Sequence, residues 1–336
     1  MPQTVLLTGG AGFIGSHICV ELARAGKRPV VFDNLCNSKA GVIERLARIV
    51  GAPIDFVKGD IRDGKLLRRV LTERNIESVI HLAGLKAVGE SVAKPLTYWD
   101  NNLVGSYQLV EAMQECNVRS LVFSSSCTVY GEPEKLPILE SHPLRGASPY
   151  GRTKLAIEQM LRDLSLSDGR WHICMLRYFN PVGAHESALI GEDPNGIPNN
   201  LMPFVLQVAA GQFKELHVWG GDYDTHDGTG VRDYIHVVDL ANAHVSALER
   251  LDQMSCEAIN LGTGSGSSVL DVVRTFEQVN SIRVPYVIRD RRPGDVQAAF
   301  ADPSLALTRL GWRTQRTLDD MCRDARQWQQ SAAARP

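Results

Sequence analysis

The sequence predicts an α/β protein: a doubly wound parallel sheet followed by a smaller C-terminal α/β substrate domain. Three observations carry this. Short apolar, β-rich runs alternate with amphipathic segments through the first half of the chain. A glycine-rich turn follows the first of those runs directly, and past residue 180 the texture shifts to long Gly-, Pro-, Asn- and Asp-rich stretches between short elements. Strands that are apolar on every residue are covered on both faces, the condition of a parallel sheet with crossover helices.

Along the chain, strands are predicted at 4–8, 29–33, 54–58, 78–82, 120–124 and 171–177, with helices over 14–26, 40–50, 63–75, 96–116 and 150–166 between them. Right-handed crossovers put helices on both faces and leave the carboxyl ends of the strands as the binding edge. Residues 181–200 and 220–234 are too long and too polar for plain connectors, and structured loops of that kind are usually functional. A helix near 201–211, a strand near 216–219, helices near 236–251 and 268–280 and a terminal helix near 317–329 complete the chain. The division expected is 1–180 for a cofactor-binding domain and 181–336 for a substrate domain, some of whose elements can pack back on the first.

The charge balance excludes some partners. With 36 basic and 38 acidic side chains the formal net charge is −2, so no global basic field exists to attract nucleic acid or an anionic membrane. No apolar run is long enough to span a bilayer. The opening Met1-Pro2-Gln3-Thr4 leads straight into Val5-Leu6-Leu7, which reads as a strand and not a signal peptide. Seven scattered cysteines without zinc spacing suggest reduced thiols and a cytoplasmic location.

The first strand is followed by Gly9-Gly10-Ala11-Gly12-Phe13-Ile14-Gly15 and a helix. Gly9, Gly12 and Gly15 allow a tight turn and close approach of a pyrophosphate to the free N–H groups of the helix N-terminus. Strand, turn and helix in that order are the context that gives a Rossmann-type glycine motif its meaning. Asp33 ends the second strand, where a carboxylate accepts from a ribose diol and repels a 2′-phosphate, favouring NAD over NADP. The alternative for Asp33 is a plain turn cap. Asp60-Ile61 after the third strand and Ala83-Gly84 after the fourth are the next places a dinucleotide would touch.

Ser148-Pro149-Tyr150-Gly151-Arg152-Thr153-Lys154 opens a helix, putting Tyr150 and Lys154 on one face. A free phenol, with a pKa near ~10, is a poor base at neutral pH. A nearby ammonium and a positively charged nicotinamide would lower that value and let Tyr150 take a proton from an alcohol. Spacing alone fits an ordinary surface pair equally well. The Ser124-Ser125-Ser126 run, at a strand carboxyl end, supplies a hydroxyl for the reacting oxygen.

Taken together, these residues resemble the extended short-chain dehydrogenase/reductase superfamily and, within it, the UDP-glucose (UDP-galactose) 4-epimerase family. The resemblance spans nearly the whole chain. It is carried by Leu7 to His17, Phe32-Asp33-Asn34-Leu35-Cys36-Asn37-Ser38 and His81 to Ser91, by Ser124-Ser125-Ser126-Cys127-Thr128-Val129-Tyr130-Gly131 and Leu176 to Ala184, and by Asn199-Asn200-Leu201-Met202-Pro203 and Asp227 to His236. It implies an isomerase that interconverts UDP-galactose and UDP-glucose through a 4-keto sugar with tightly bound NAD. Tyr150 would be the base and acid, Lys154 the residue that tunes it, and Ser126 the hydroxyl near O4, with Ser124 on the nicotinamide side. Phe13, Ile14, Asp33, Asn34, Asn37, Ser38, Asp60, Ile61, Lys86, Asn101 and Tyr178 would contact NAD. Asn180, Asn200, Leu201, Arg232, Arg292 and Asp295 would hold UDP, the arginines by forked hydrogen bonds to a diphosphate.

Two positions refine that expectation. Related 4,6-dehydratases carry an Asp-Glu pair after the strand-end hydroxyl, whereas Ser126 is followed by Cys127-Thr128, so no acid/base stands ready to eliminate water. The family position of Ala299 borders the sugar pocket. A small residue there leaves room for a 2-N-acetyl group, which extends the expected substrates to UDP-GlcNAc and UDP-GalNAc unless Phe300 fills the space. The resemblance also implies a homodimer formed through the helical region that holds Leu103, Leu109, Val110 and Met113. Plainer readings cover His226-Asp227 and His236 to Asp239 as polar loop residues without a third metal ligand, Cys127 as a buried filler, and Trp312 and Trp328 as packing anchors. Rival functions are a net oxidoreductase or decarboxylase on the same sugars, and a non-catalytic NAD-sensing protein of the same fold.

Overall fold

Thr4–Thr8 (β1) is buried along its whole length at the middle of a seven-stranded sheet. The computed structural model of the chain describes residues 2–194, 198, 200–292 and 294–331. After β1 come α1 (Phe13–Arg24), β2 (Arg28–Asp33), α2 (Gly41–Val50), β3 (Asp55–Lys58), α3 (Gly64–Glu73) and β4 (Ser78–His81). Two short helices, α4 (Val88–Ala93) and α5 (Pro95–Tyr98), and a π-helical turn over Trp99–Val104 lead into α6 (Gly105–Glu115). β5 (Ser120–Ser126), α7 (Pro149–Ser167), β6 (His172–Tyr178) and β7 (Asn180–Val182) follow.

The second half contributes α8 (Leu201–Ala209), β8 (Leu216–Trp219), β9 (Val231–Arg232), β10 (Tyr234–His236), α9 (Val237–Glu249) and β11 (Cys256–Leu261). It ends with β12 (Ser267–Ser268), α10 (Val269–Asn280), β13 (Tyr286–Arg289), β14 (Ala298–Ala299), α11 (Ser304–Leu310) and α12 (Leu318–Gln330).

The main sheet runs β3-β2-β1-β4-β5-β6-β11, parallel throughout. Its order reverses between β1 and β4, and the crevice beyond that switch point is where such sheets bind ligands. The predicted strands and helices of the first half are all present, with boundaries within two residues. β11 was not predicted. Its sequence, Cys-Glu-Ala-Ile-Asn-Leu, carries Glu257 and Asn260 where a central strand would be apolar, because it lies on the sheet edge beside β6.

Apolar burial explains the layers. Ile18 and Leu22 of α1, Leu46 of α2 and Leu240 and Ala247 of α9 pack on one face of the sheet. Leu67 and Val70 of α3, Leu109 and Met113 of α6 and Ile157 and Leu161 of α7 cover the other. Leu109, Val110 and Met113 therefore do form a buried face, directed at the sheet, with Leu103 half-buried beside them. A third core joins α8, α10 and α12 with β8 and β10, and holds Val205, Val273, Phe276 and Cys322. No described helix is long and apolar enough to cross a membrane, and all seven cysteines are free thiols.

Candidate active site

The glycine turn is shaped by contacts that leave no space for side chains. Gly9 has φ +70°, and a Cβ there would sit 2.8 Å from the Ala83 amide nitrogen; at Gly15 it would meet the Gly9 carbonyl at 2.3 Å. Gly12 is the N-cap residue of α1, so the first N–H groups of the helix, from Phe13 and Ile14, open onto the cleft without a side-chain cap. That cradle fits a dinucleotide pyrophosphate.

Asp33 closes the cradle from β2. Its carboxylate accepts from the Ala11 N–H (3.0 Å), the Leu35 N–H (2.8 Å) and the Ser38 hydroxyl (3.0 Å). The turn-cap reading and the ribose reading are thus compatible, since one carboxylate offers about four acceptor sites. Asn37 and Ser38 line the same cleft as Gly12 and Phe13. Asn34 donates to Asp60 at 3.0 Å. Asp60 is also gripped by the Arg62 guanidinium and backbone, which hold its carboxyl well below the usual range. Ile61 is buried beneath α6.

At the end of β4, Ala83 and Gly84 sit above Asn102, a residue the sequence reading missed. Buried in the π-helical turn, Asn102 receives the Leu85 N–H (2.8 Å) and donates to the Leu85 carbonyl (3.0 Å) and the Thr153 hydroxyl (3.2 Å). It thereby braces the 83–86 loop against α7. Asn101 donates to the Asn102 side chain, and the irregular turn carrying both is of a type that recurs at functional sites. Two consecutive asparagines inside an otherwise helical, apolar segment were the available signal. Lys86 pairs with Glu192 at 3.1 Å.

Tyr150 and Lys154 are set on one face by α7. Ser148 caps it by accepting from the Gly151 N–H at 3.1 Å, and Pro149 occupies its first turn, where its missing N–H costs nothing. Gly151 lets this turn press on the loop after β5, because a Cβ would lie 2.7 Å from the Thr128 carbonyl. Tyr150 is thereby brought within reach of the Ser126 hydroxyl, which favours its phenolate. Ser126 also accepts from the Thr128 hydroxyl at 3.0 Å. Lys154, buried one turn on, donates to the Ser124 carbonyl at 2.6 Å and stands 4.8 Å over the Phe123 ring.

The electrostatics correct one expectation. Burial pushes the Tyr150 phenol up to about 12 and the Lys154 ammonium down to about 7. Desolvation penalises both charged forms, and in the chain by itself it outweighs the attraction that the i,i+4 spacing suggested. Tyr178 is buried with its phenol donating to His244, and Ser124 is its other polar neighbour. Ser125 points the opposite way, into a buried network, donating to Glu158 at 2.5 Å. Cys127 is half-buried beside the site, and desolvation pushes its thiol up to about 12, which keeps it protonated and unreactive.

The second half supplies the other wall. Asn180 begins β7, pairs with Tyr234 and donates its N–H to the Asp233 carbonyl. Arg232 is paired with Ala299 in the small β12-β9-β14 sheet, a register that sets the guanidinium-bearing strand beside Ala299. Asp233, fully buried, accepts from the Thr263, Gly264 and Ala301 N–H groups and so fixes that sheet. Arg292 pairs with Asp295 at 2.9 Å and lies 5.8 Å over Trp219. The half-exposed Trp219 indole offers a flat surface that spacing did not reveal. Asn200 is the N-cap residue of α8 and donates to Glu192 at 2.8 Å, with Leu201 half-buried next to it. Asn199 lies outside the described residues.

His226, Asp227 and Asp271 lie close together on the surface, where Asp271 caps α10 and Arg274 approaches both carboxylates. His236 caps α9 and pairs with Asp324.

The chain is similar to known proteins over nearly its whole length. The family model described as GDP-mannose 4,6 dehydratase matches residues 6–325. UDP-glucose 4-epimerase of Bacillus subtilis is 56% identical over 330 residues, covering 98% of this chain and 97% of that protein; that of Pasteurella multocida is 55% identical, covering 97% of each. The crystal structure of a UDP-glucose 4-epimerase from Stenotrophomonas maltophila, with bound NAD and formylated UDP-arabinopyranose, superposes with a TM-score of 0.96 at 53% identity, over 97% of this chain and 98% of that one. The Bifidobacterium longum enzyme in complex with NAD+ and UDP gives 0.94 at 52% identity, with the same coverage.

Proposed function

The chain belongs to the UDP-glucose 4-epimerase family, within the group matched by the dehydratase model, and we propose the roles of its residues in that reaction as follows. It is an NAD-dependent isomerase that interconverts UDP-galactose and UDP-glucose. Gly9, Gly12, Gly15 and the α1 N-terminus hold the pyrophosphate, Asp33 the adenosine ribose, and Lys154 the nicotinamide side. NAD+, when bound, supplies the two-electron acceptor for the C4 carbinol and a positive ring charge beside the phenol. Tyr150 takes the O4 proton as the 4-keto sugar forms and returns it from the same atom once the sugar has turned over. Ser126 hydrogen-bonds O4 in both orientations. Arg232, Arg292 and Asn180 anchor the UDP so that the hexose alone is free to turn, and Trp219 offers its face to the base.

The observation that carries this reading is the meeting of Tyr150, Ser126 and Lys154 at the end of β5, with Cys127-Thr128 where a dehydrating enzyme would need carboxylates. Purified protein given UDP-galactose and no added cofactor should produce UDP-glucose, followed by NMR, without net NADH. Accumulation of a keto or decarboxylated sugar would overturn it.

Ala299 supports a wider substrate range. The Phe300 ring lies against Gly266, where a Cβ would be 3.1 Å from it, and successive side chains of an extended segment point to opposite faces, which directs Phe300 away from the side of Ala299. UDP-GalNAc and UDP-GlcNAc are therefore interconverted as well. Ala299→Tyr should cut conversion of the N-acetylated pair by about 100-fold relative to the plain pair; equal loss on both would remove the pocket argument.

A homodimer is supported by Val92, Leu96, Val104 and Tyr107, exposed along α4, α5, the π-helical turn and α6, with Leu96 81% exposed. Such a patch on helices otherwise packed on the sheet suits a second copy. Leu96→Glu should shift the sedimentation of a dimer to that of a monomer. The two-part division at residue 180 is retained with α9 and β11 returning to the first half, and a cytoplasmic location is consistent with seven free thiols.

A further inference from the structure

The cleft floored by Gly12, Phe13 and Ser38 has a roof made by Ile190, Gly191 and Asp193. This roof carries two consecutive carboxylates, and each reaches a lysine on a different loop. Asp193 pairs with Lys39 at 2.8 Å, just after β2, and Glu192 pairs with Lys86 at 3.1 Å, just after β4. β2 and β4 flank β1, so the two pairs fasten on either side of the strand that ends in the glycine turn. The other edge of the roof is fixed differently. Gly191 lies against the buried Trp328 indole, where a Cβ would be 2.4 Å from the ring, and the Trp328 N–H donates to the Glu192 carbonyl at 3.3 Å.

We propose that residues 190–193 are a clasp that keeps the dinucleotide in its cleft between turnovers, hinged on Trp328 and fastened by Asp193–Lys39 and Glu192–Lys86. This rests on the reading that NAD occupies the glycine-turn cleft. The design suits a reaction that returns its cofactor unchanged each cycle and gains nothing by releasing it. The Lys39–Asp193 pair is half-exposed and Lys86 reaches its carboxylate from the exposed side, so both pairs can open for loading, and an exposed pair contributes modestly. A pure field effect has the opposite sign. Carboxylates near a pyrophosphate repel it, so removing one should tighten binding, whereas breaking a clasp should speed release.

Exchange of bound NAD against isotopically labelled NAD, read by mass spectrometry of the desalted holoenzyme, separates these. Asp193→Lys and Lys39→Glu should each exchange about fivefold faster than the wild type, the scale of one exposed ion pair. The combined variant, with the pair reversed, should return to within about twofold of the wild type. Turnover at saturating NAD should stay unchanged in all three. Slower or unchanged exchange in Asp193→Lys, or no recovery in the reversed pair, would overturn the clasp. A wild-type protein that carries no NAD would overturn the cofactor reading and the clasp with it.

Discussion

Tyr150→Phe should lower kcat by about 10²–10⁴-fold, the usual contribution of a positioned acid/base, while the affinity for UDP changes by less than about twofold. The substitution removes one oxygen and keeps the half-buried ring, so the fold has little reason to respond. What it loses is the phenol beside the Ser126 hydroxyl. Isothermal titration with UDP and a coupled rate measurement on one preparation give both numbers. Equal losses in binding and rate would mean that Tyr150 shapes the pocket and does not move the proton. Because burial holds the phenol up to about 12 and Lys154 down to about 7, this side chain starts from its protonated form at neutral pH. The base role therefore depends on positive charge brought to the site, and Lys154→Met should depress the rate without displacing Tyr150.

The fold was largely legible because the central strands are covered on both faces and read as unbroken apolar runs, such as Val5-Leu6-Leu7 and Val30-Val31-Phe32. The glycine turn and Asp33 were legible because backbone geometry restricts which residues can stand there. What the sequence concealed has a common cause. β11 hides because Glu257 and Asn260 break its apolar pattern, Asn260 being used in a polar cluster with Tyr130 and the Ile138 carbonyl. The two-residue ladders of β9, β12 and β14 are too short to show any period, yet they set Arg232 opposite Ala299. Asn102, Trp219 and Asp233 act through contacts between distant segments, for which spacing along one helix or strand holds no information. The direction of the Tyr150 shift was missed for a related reason, since spacing reports which groups are near but not how far water has been excluded from them.

Glu158→Ala should destabilise the protein by about 3–5 kcal/mol, the usual cost of leaving a buried charge without its partner. Glu158 lies one turn beyond Lys154 on α7, and it and Arg177 of β6 are both 1% exposed in their side chains. The guanidinium donates to it twice, from Nε at 2.9 Å and from Nη2 at 2.7 Å, and Ser125 adds a third donor. Arg177 also reaches the Tyr130 hydroxyl at 2.8 Å and the Glu140 carbonyl at 3.2 Å. The network thus ties α7, β5 and β6 together directly behind Tyr150 and Lys154. Cutting Glu158 away leaves Arg177 charged and desolvated. With roughly 2.1 cal/mol/K of unfolding entropy per residue, the melting midpoint should fall by about 4–7 °C. The paired replacement Glu158→Leu with Arg177→Met removes both charges, so it should recover most of that loss, because an apolar pair of similar size has no desolvation to offset. Melting curves taken at one fixed NAD concentration compare the variants fairly, since ligand binding raises apparent stability. If the double variant melts no higher than Glu158→Ala, the cost lies in the orphaned Ser125 hydroxyl and not in the charge.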